Sequence, residues 1–425
     1  MTDDIFAEAP ADLVRPDRVA GRLYTDPEIF EQEMTKIFER TWVWVAHDSE
    51  LPRPGTFKST YAGRQPVIVS RDRKGTLHTL LNRCRHRGAS LCEKPRGQAN
   101  GFTCPYHAWS YGLDGTLRGI PYPDGYEGVV DKKDLSLRKL RTESYGGMVF
   151  ATFDHDIEPL EDFLGDAKLW LDRFMKQGGG YPVKVLGRHQ FRFRGNWKIQ
   201  LENTTDGYHF PIVHRSWMAS VDAETADMMS FMTDPAAITH ALGNGHSVMQ
   251  MVPEHSDLDA DDGTEPLQAR FGHVVAELSK TLDDAQVRKL VRAMHGTGFN
   301  LNLFPNVSMS AAFFRVLRPV SVDETIIEHI AIGPDGPPEL DVVNRERLRI
   351  HEHFQGPFGF GTPDDAEGWD RVQRGAQAAP GMPILVNRGL GREKADEHGW
   401  PTSHVTDETG MRAAYSQWKQ MMSDD

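Results

Sequence analysis

The chain has almost no cysteine: three in 425 residues, at positions 84, 92 and 104. So sparse a set excludes a disulfide-stapled fold, and stability has to come from buried apolar area, for which the chain is long enough. It lacks any apolar run near the roughly 20 residues a membrane helix needs. The acidic start MTDDIFAEAPADL has no positive stretch followed by an apolar core, so a cytoplasmic protein with no membrane association is expected. Basic residues are outnumbered 48 to 61, a formal net charge of −13. That sign argues against nucleic acid as a partner, although an acidic protein can still hold a basic pocket. Acidic runs such as Asp257 to Asp262 are expected to be solvated loops. There is no internal repeat, which excludes a solenoid. No nicotinamide or flavin glycine fingerprint and no plant-type ferredoxin cysteine set is present, so the chain does not itself oxidise a nicotinamide.

What is present gathers around two of the cysteines. Cys84-Arg-His86 is followed, after 17 residues, by Cys104-Pro-Tyr-His107. Two thiolates and two imidazoles in paired short spacings suit a metal centre. A structural zinc and a Rieske [2Fe–2S] cluster both take two Cys and two His. Zinc fingers usually pair like with like on each arm, whereas each arm here carries one Cys and one His, which favours the cluster. Cys92 lies between the arms without a His beside it and reads as an ordinary buried thiol.

The flanks carry a resemblance. CRHRG at 84–88 and CPYHAWSYGLDG at 104–115 resemble the two ligand loops of the Rieske family, the second in the form found in aromatic-ring-hydroxylating oxygenases. Gly88, Gly112 and Gly115 are expected to supply tight turns whose backbone N–H groups face the sulfurs.

A second motif decides whether electrons have a destination. Residues 196–217 read NWKIQLENTTDGYHFPIVHRSW, with Asp206, His209 and His214 spaced D-x-x-H-x-x-x-x-H. The spacing resembles the mononuclear iron motif of the same oxygenases, in which two His and a carboxylate leave positions open for dioxygen and substrate. At about 100° per residue, Asp206 and His209 share a helical face, but the five-residue step to His214 does not converge on it. Pro211 is expected to kink the helix and turn His214 back. Without the cysteine loops, two unconnected histidines would be an equal alternative. The resemblance supplies the third iron ligand, Asp365, from GPFGFGTPDDAEGWDRVQR at 356–374; Asp364 reads as an N-cap or first-turn residue. It also gives Asp206 another task, as a hydrogen-bonded bridge from His107 of a neighbouring copy to His209, which implies a head-to-tail trimer.

Periodicity organises the rest. Asp26-Pro27 opens a helix running to about Arg40. From Trp42 to Phe153 short β runs such as 67–70 and 148–153 alternate with turns. Residues 159–176 return to helical spacing, and Gly178 to Gly180 mark a flexible joint. Strands are expected at 186–194, 307–317 and 325–331, and helices at 283–294 and 345–354. The fold class is α+β: an N-terminal helical segment at 1–41, a β-rich Rieske [2Fe–2S] domain at 42–156, and a catalytic domain at 157–425. For the last, the resemblance implies an antiparallel sheet covered by helices around a mononuclear iron.

By that resemblance the chain is a terminal oxygenase, an α subunit using dioxygen and electrons from a separate NAD(P)H-dependent reductase, with or without a ferredoxin. The expected outcome is cis-dihydroxylation of a small aromatic substrate, and a small β subunit is a further implied partner (α3β3). LENTTDGYH and GFGTPDDAE are similar to the benzoate, toluate and anthranilate branch, which acts on aromatic carboxylates. An acid substrate asks for a cation, for which Arg215 and Arg315 are candidates. Phe210, Phe313, Phe314 and Phe360 are candidate pocket walls, and Asn300, Asn302 and Gln355 candidate polar contacts. The alternatives are a Rieske monooxygenase or demethylase, an electron carrier without oxygenase activity, and a zinc-stabilised binding protein.

Overall fold

The computed structural model describes residues 10–221, 226, 230–259, 268–356 and 358–423. The acidic start through residue 9 and residues 260–262 of the acidic run lie outside the described residues. The chain forms two compact units, Met34–Asp162 and residues 10–33 with 163–423. The first begins and ends several residues outside the 42–156 span read from the sequence, because residue 39 belongs to it. Glu39 accepts hydrogen bonds from Phe153 N at 3.2 Å and Gln65 Nε2 at 2.8 Å.

Residues 34–162 build an antiparallel seven-stranded sheet in the order Val43–His47, Met148–Thr152, Lys139–Tyr145, Leu77–Leu81, Gln65–Arg71, Thr56–Ala62, Arg96–Gln98. Val67, Ile68 and Val69 are all fully buried, so this strand is covered on both faces. A three-stranded sheet of Phe102–Thr103, Ser110–Tyr111 and Leu117–Gly119 sits with it. Phe57, Leu80, Phe102, Trp109, Tyr111 and Leu137 form one core with Cys84 and Cys104.

In the second unit the described residues form a nine-stranded antiparallel sheet. Its order is Val183–Phe193, Glu324–Pro334, Phe313–Ser321, Val307–Ala311, Thr297–Leu303, Ser247–Gln250, Ile238–Ala241, Pro401–His404, Lys394–Ala395. Helices cover it: Asp341–Gln355 packs on Glu324–Pro334, Ala167–Met175 on Thr297–Leu303, and Thr409–Ser423 on Ile238–Ala241. The class is α+β, as the strand and helix pattern implies.

A buried carboxylate ties three helices together. Glu33, at the end of the helix Pro27–Glu33, is fully buried. It accepts from Lys198 Nζ at 2.5 Å, Trp197 Nε1 at 2.8 Å and Trp418 Nε1 at 2.7 Å. Trp197 and Lys198 open the helix Trp197–Thr204 and Trp418 lies on Thr409–Ser423. Burial alone would make such a charge costly, so each partner is needed.

Several local expectations change. The helix from Pro27 is α only to Glu33 and continues as a π turn over Met34–Phe38, which buries Met34, Ile37 and Phe38. The 159–176 helix breaks into Leu160–Leu164 and Ala167–Met175 at Gly165, whose φ is 48°. Gly178 and Gly179 are buried, and a Cβ on Gly179 would stand 2.6 Å from Leu290 Cδ2, so this is a packed turn and not a flexible joint. Residues 307–317 are two strands folded back at Ala311-Ala312, with Ala311 at φ 46°. In the acidic run, Asp257 and Asp259 lie 3.6 and 2.7 Å from Lys176 Nζ.

Glu33→Ala removes the acceptor and leaves the Lys198 ammonium buried and unpaired. The expected loss of unfolding free energy is about 3–5 kcal/mol, read by chemical denaturation.

Candidate active site

The two cysteine loops close in the same way. Cys84 N donates to Ala89 O at 2.8 Å and Gly88 N to Cys84 O at 3.0 Å; Cys104 N donates to Trp109 O at 2.8 Å and Ala108 N to Cys104 O at 3.0 Å. The fourth residue after each cysteine is left-handed, Gly88 at φ 73° and Ala108 at φ 55°. Ala108 was missed in the sequence because alanine does not advertise that conformation. Gly112 and Gly115 lie elsewhere, in a hairpin turn closed by Gly115 N to Gly112 O at 3.0 Å.

These loops fit a Rieske cluster. Cys84 and Cys104 are buried free thiols, and the imidazoles of His86 and His107 stand 4.5 Å apart between centroids. Nδ1 of each is buried with no hydrogen-bond partner, which leaves that nitrogen able to ligate a metal. Burial pushes the Cys104 thiol up, but the backbone N–H groups of Tyr106 and His107 outweigh it and pull the pKa below normal, toward the ligating thiolate. Both histidines are half-buried but have different neighbours: His86 stacks on Trp109 at 4.9 Å with its Nε2 3.3 Å from the Tyr126 hydroxyl, and His107 lies beside the exposed Tyr106. Cys92 is only partly buried, its thiol 3.6 Å from Lys94 O.

The second motif is not helical where it carries ligands. The helix Trp197–Thr204 ends before Asp206, and Pro211 opens a separate short helix, Phe210–Val213. His209 is the N-cap of that turn and His214 the junction with Arg215–Met218, so two brief turns, not a kink in one helix, converge the imidazoles. Asp365 comes from the first turns of Gly361–Ala378, where Phe360 is the N-cap and Asp364 a first-turn residue. His214 Nε2 lies 3.1 Å and His209 Nε2 3.5 Å from Asp365 Oδ1. The ligand atoms of all three fall within 4.8 Å of one another. Asn203 Nδ2, absent from the sequence reading, donates to Asp365 Oδ1 at 3.2 Å and lies 3.2 Å from His209 Nε2. Asp206 Oδ2 is 3.3 Å from His209 Nδ1 at an angle outside hydrogen-bond geometry. Burial disfavours the His209 imidazolium, but Asp206 and Asp365 outweigh it and raise its pKa to about 10. The same field favours a divalent cation between the donors, and two His with one carboxylate is a non-haem iron set.

The comparisons with known proteins agree. Residues 41–140 match the Rieske [2Fe-2S] domain family, and residues 182–424 match the family described as ring hydroxylating alpha subunit (catalytic domain). The chain belongs to the ring-hydroxylating α-subunit family. It is 36% identical over 404 residues to the anthranilate 1,2-dioxygenase large subunit of Acinetobacter baylyi, covering 92% of this chain and 83% of that one. It is 31% identical to the toluate 1,2-dioxygenase subunit alpha of Pseudomonas putida, covering 84% and 79%. Naphthalene 1,2-dioxygenase with indole bound in the active site superposes with a TM-score of 0.80 at 28% identity, covering 100% of this chain and 95% of that one. This α subunit is therefore an oxidoreductase that incorporates dioxygen, and its cofactors are a Rieske [2Fe–2S] cluster and a non-haem iron. Among its described residues no helix is long and apolar enough to cross a membrane.

A pocket of about 510 Å³ opens at the three converging side chains of the oxygenase. Phe210, Phe313, Arg315, Gln355 and Asn300 line it. Asn302 does not, because it is buried under Thr204, whose hydroxyl donates to its Oδ1 at 2.6 Å. Phe360 caps a helix, 39% exposed, beside His353. Arg215 is exposed and points to no part of the lining. Trp217, Phe231 and Phe354, which the sequence reading passed over, complete an aromatic wall around His214, with Phe354 5.0 Å from its ring. Their contacts depend on tertiary packing, for which no local spacing gives a signal.

Next to Asn203 stands Glu202, whose Oε1 accepts from Tyr24 at 2.6 Å and from Tyr415. Burial pushes it up to about 7, against the pull of both phenols. A carboxyl raised from 4.5 to about 7 on folding binds its proton more tightly in the native state. Its contribution is therefore complete below pH 4.5 and lost as pH rises through 7. Denaturation at a series of pH values is expected to show wild-type stability falling across that window relative to Glu202→Gln.

Proposed function

We propose that the chain is the terminal oxygenase component that cis-dihydroxylates an aromatic carboxylate. The observation that carries this is the convergence of His209 and His214 on Asp365 Oδ1 within a pocket of substrate size. The aromatic-acid assignment is supported by the anthranilate and toluate relatives. When bound, the cluster supplies single electrons and the iron activates dioxygen. Overall, the arene, one dioxygen, two electrons and two protons give one cis-dihydrodiol.

The chain's residues divide this work. Cys84, His86, Cys104 and His107 hold the cluster, and His209, His214 and Asp365 the iron. Asn203 orients Asp365 through the hydrogen bond at its Oδ1. Phe210 and Phe313 flank the ring, Arg315 and Gln355 face its polar substituent, and the aromatic wall around His214 keeps water out. Asp206 receives the partner subunit's His107 while its other oxygen stays at His209. Support comes from the half-buried position of His107 and from the partly exposed Asp206 side chain, 25% accessible. Such a contact is head-to-tail and closes as a homotrimer, with a small β subunit completing an α3β3 assembly. Electrons arrive from NAD(P)H through a separate reductase, with or without a ferredoxin, and the chain works in the cytoplasm.

His214→Ala and Asp365→Ala are each expected to lose one iron per chain and all oxygenation while keeping the cluster. Asp206→Ala should retain all the iron yet lower turnover by about 100-fold or more. Full activity in that variant contradicts the bridge. Labelled dioxygen should place two labelled atoms on adjacent ring carbons; one atom would identify a monooxygenase.

A further inference from the structure

The pocket contains a guanidinium with no carboxylate in ion-pair contact, although the charge of Asp365 reaches it. Arg315 is 5% exposed and lies in a row that crosses five strands of the large sheet, Asn302, Ser308, Arg315, His329 and His189. Directly opposed residues share a sheet face, and the adjacent row on that face carries Asn300, Ser310 and Phe313 of the lining. Arg315 Nε donates to His329 Nε2 at 3.0 Å and Nη2 donates to Gln355 Oε1 at 2.8 Å. Both acceptors are uncharged, since burial and the neighbouring Arg315 and His189 hold His329 well below its usual pKa. Among the described residues no carboxylate lies within 4 Å of the guanidinium, and Nη1 has no acceptor.

Another arginine shows what structural burial looks like in this fold. Arg347, 1% exposed, ends on Ile332 O, Ala293 O and Gln177 Oε1, so every branch of its fork is occupied. Arg349, at the pocket margin, is mostly exposed and paired with Glu346. Arg315 has neither the full set of acceptors of Arg347 nor the carboxylate partner of Arg349, and a guanidinium does not shed its charge. Its Nε and Nη2 are held in place and Nη1 has no protein acceptor, so the lining side chain keeps a donor for a carboxylate oxygen.

We propose that Arg315, oriented by His329 and Gln355, is the residue that binds the carboxylate of the substrate and so selects aromatic acids over neutral arenes. This rests on the oxygenase reading above. Because Arg315 and the three converging ligands line one pocket, a single small acid can reach both: its carboxylate meets the sheet, and its ring projects toward His209, His214 and Asp365. Phe313, whose ring lies 5.5 Å from the guanidinium, gives the ring a flat neighbour on the way.

The test compares benzoate with benzamide, which has the same shape without the charge, on anaerobic holoenzyme by calorimetric titration and by turnover. Wild type is expected to prefer benzoate. Arg315→Gln should lower the benzoate-over-benzamide preference by about 100-fold, and Arg315→Lys, which restores charge but not the fork, by about tenfold. Iron content and the EPR signature of the cluster are measured on each variant to confirm intact centres. If Arg315→Gln does not fold, the tenfold drop in Arg315→Lys carries the test. An unchanged preference, or equal weakening of both ligands, overturns the proposal. Wild type that holds both metals yet oxidises neither ligand nor any other aromatic acid overturns the function beneath it, a result separable because it precedes any substitution.

Discussion

The active site depends on the placement of one short helix, Trp197–Thr204, and that placement depends on the buried carboxylate of Glu33. Lys198 and Trp197 at the helix start and Trp418 on the last helix all donate to it. At the same end, Asn196 caps the helix through Lys198 N, and its own N–H donates to Gln373 Oε1 at 3.0 Å. Gln373 belongs to the helix that carries Asp365. One end of the helix is thereby tied to the third ligand's helix, while the other delivers Asn203 and Thr204 to the pocket. The proposed ligand triad of residues 209, 214 and 365 needs such a brace, because nothing local holds position 365 in register with the other two.

The cluster loops show a similar economy. Two loops with the same closing hydrogen bonds differ by one residue in where the histidine falls, two after Cys84 and three after Cys104. That single offset accompanies unlike neighbours, with His86 stacked on Trp109 and approached by Tyr126, and His107 beside the exposed Tyr106.

Much of this was readable from residue order. The cysteine and histidine spacings, the D-x-x-H-x-x-x-x-H run and the change from helical to alternating periodicity are local patterns, and local patterns survive in sequence. Asp365 was reachable only through resemblance, since paired aspartates at a helix start are common. What could not be read is nonlocal or silent. Asn302 is a candidate polar contact by residue type alone, and nothing local shows that Thr204 lies over it. Ala108 and Ala311 adopt left-handed turns with a residue that does not signal them. The helix Trp197–Thr204 ends before Asp206 and His209; the turn pair Asp206-Gly207 is the local signal of that end, and Pro211 lies in the next turn. Arg315 was nameable, but its unpaired burial emerges only when the row across five strands is assembled.

The claim that rests on all of this is that two iron centres occupy one chain. Iron, zinc and acid-labile sulfide should be counted per chain in anaerobically purified protein, together with the reduced-state EPR spectrum. The account predicts about three irons and two sulfides with a Rieske signal. Colourless, zinc-containing protein after expression with ample iron would contradict it.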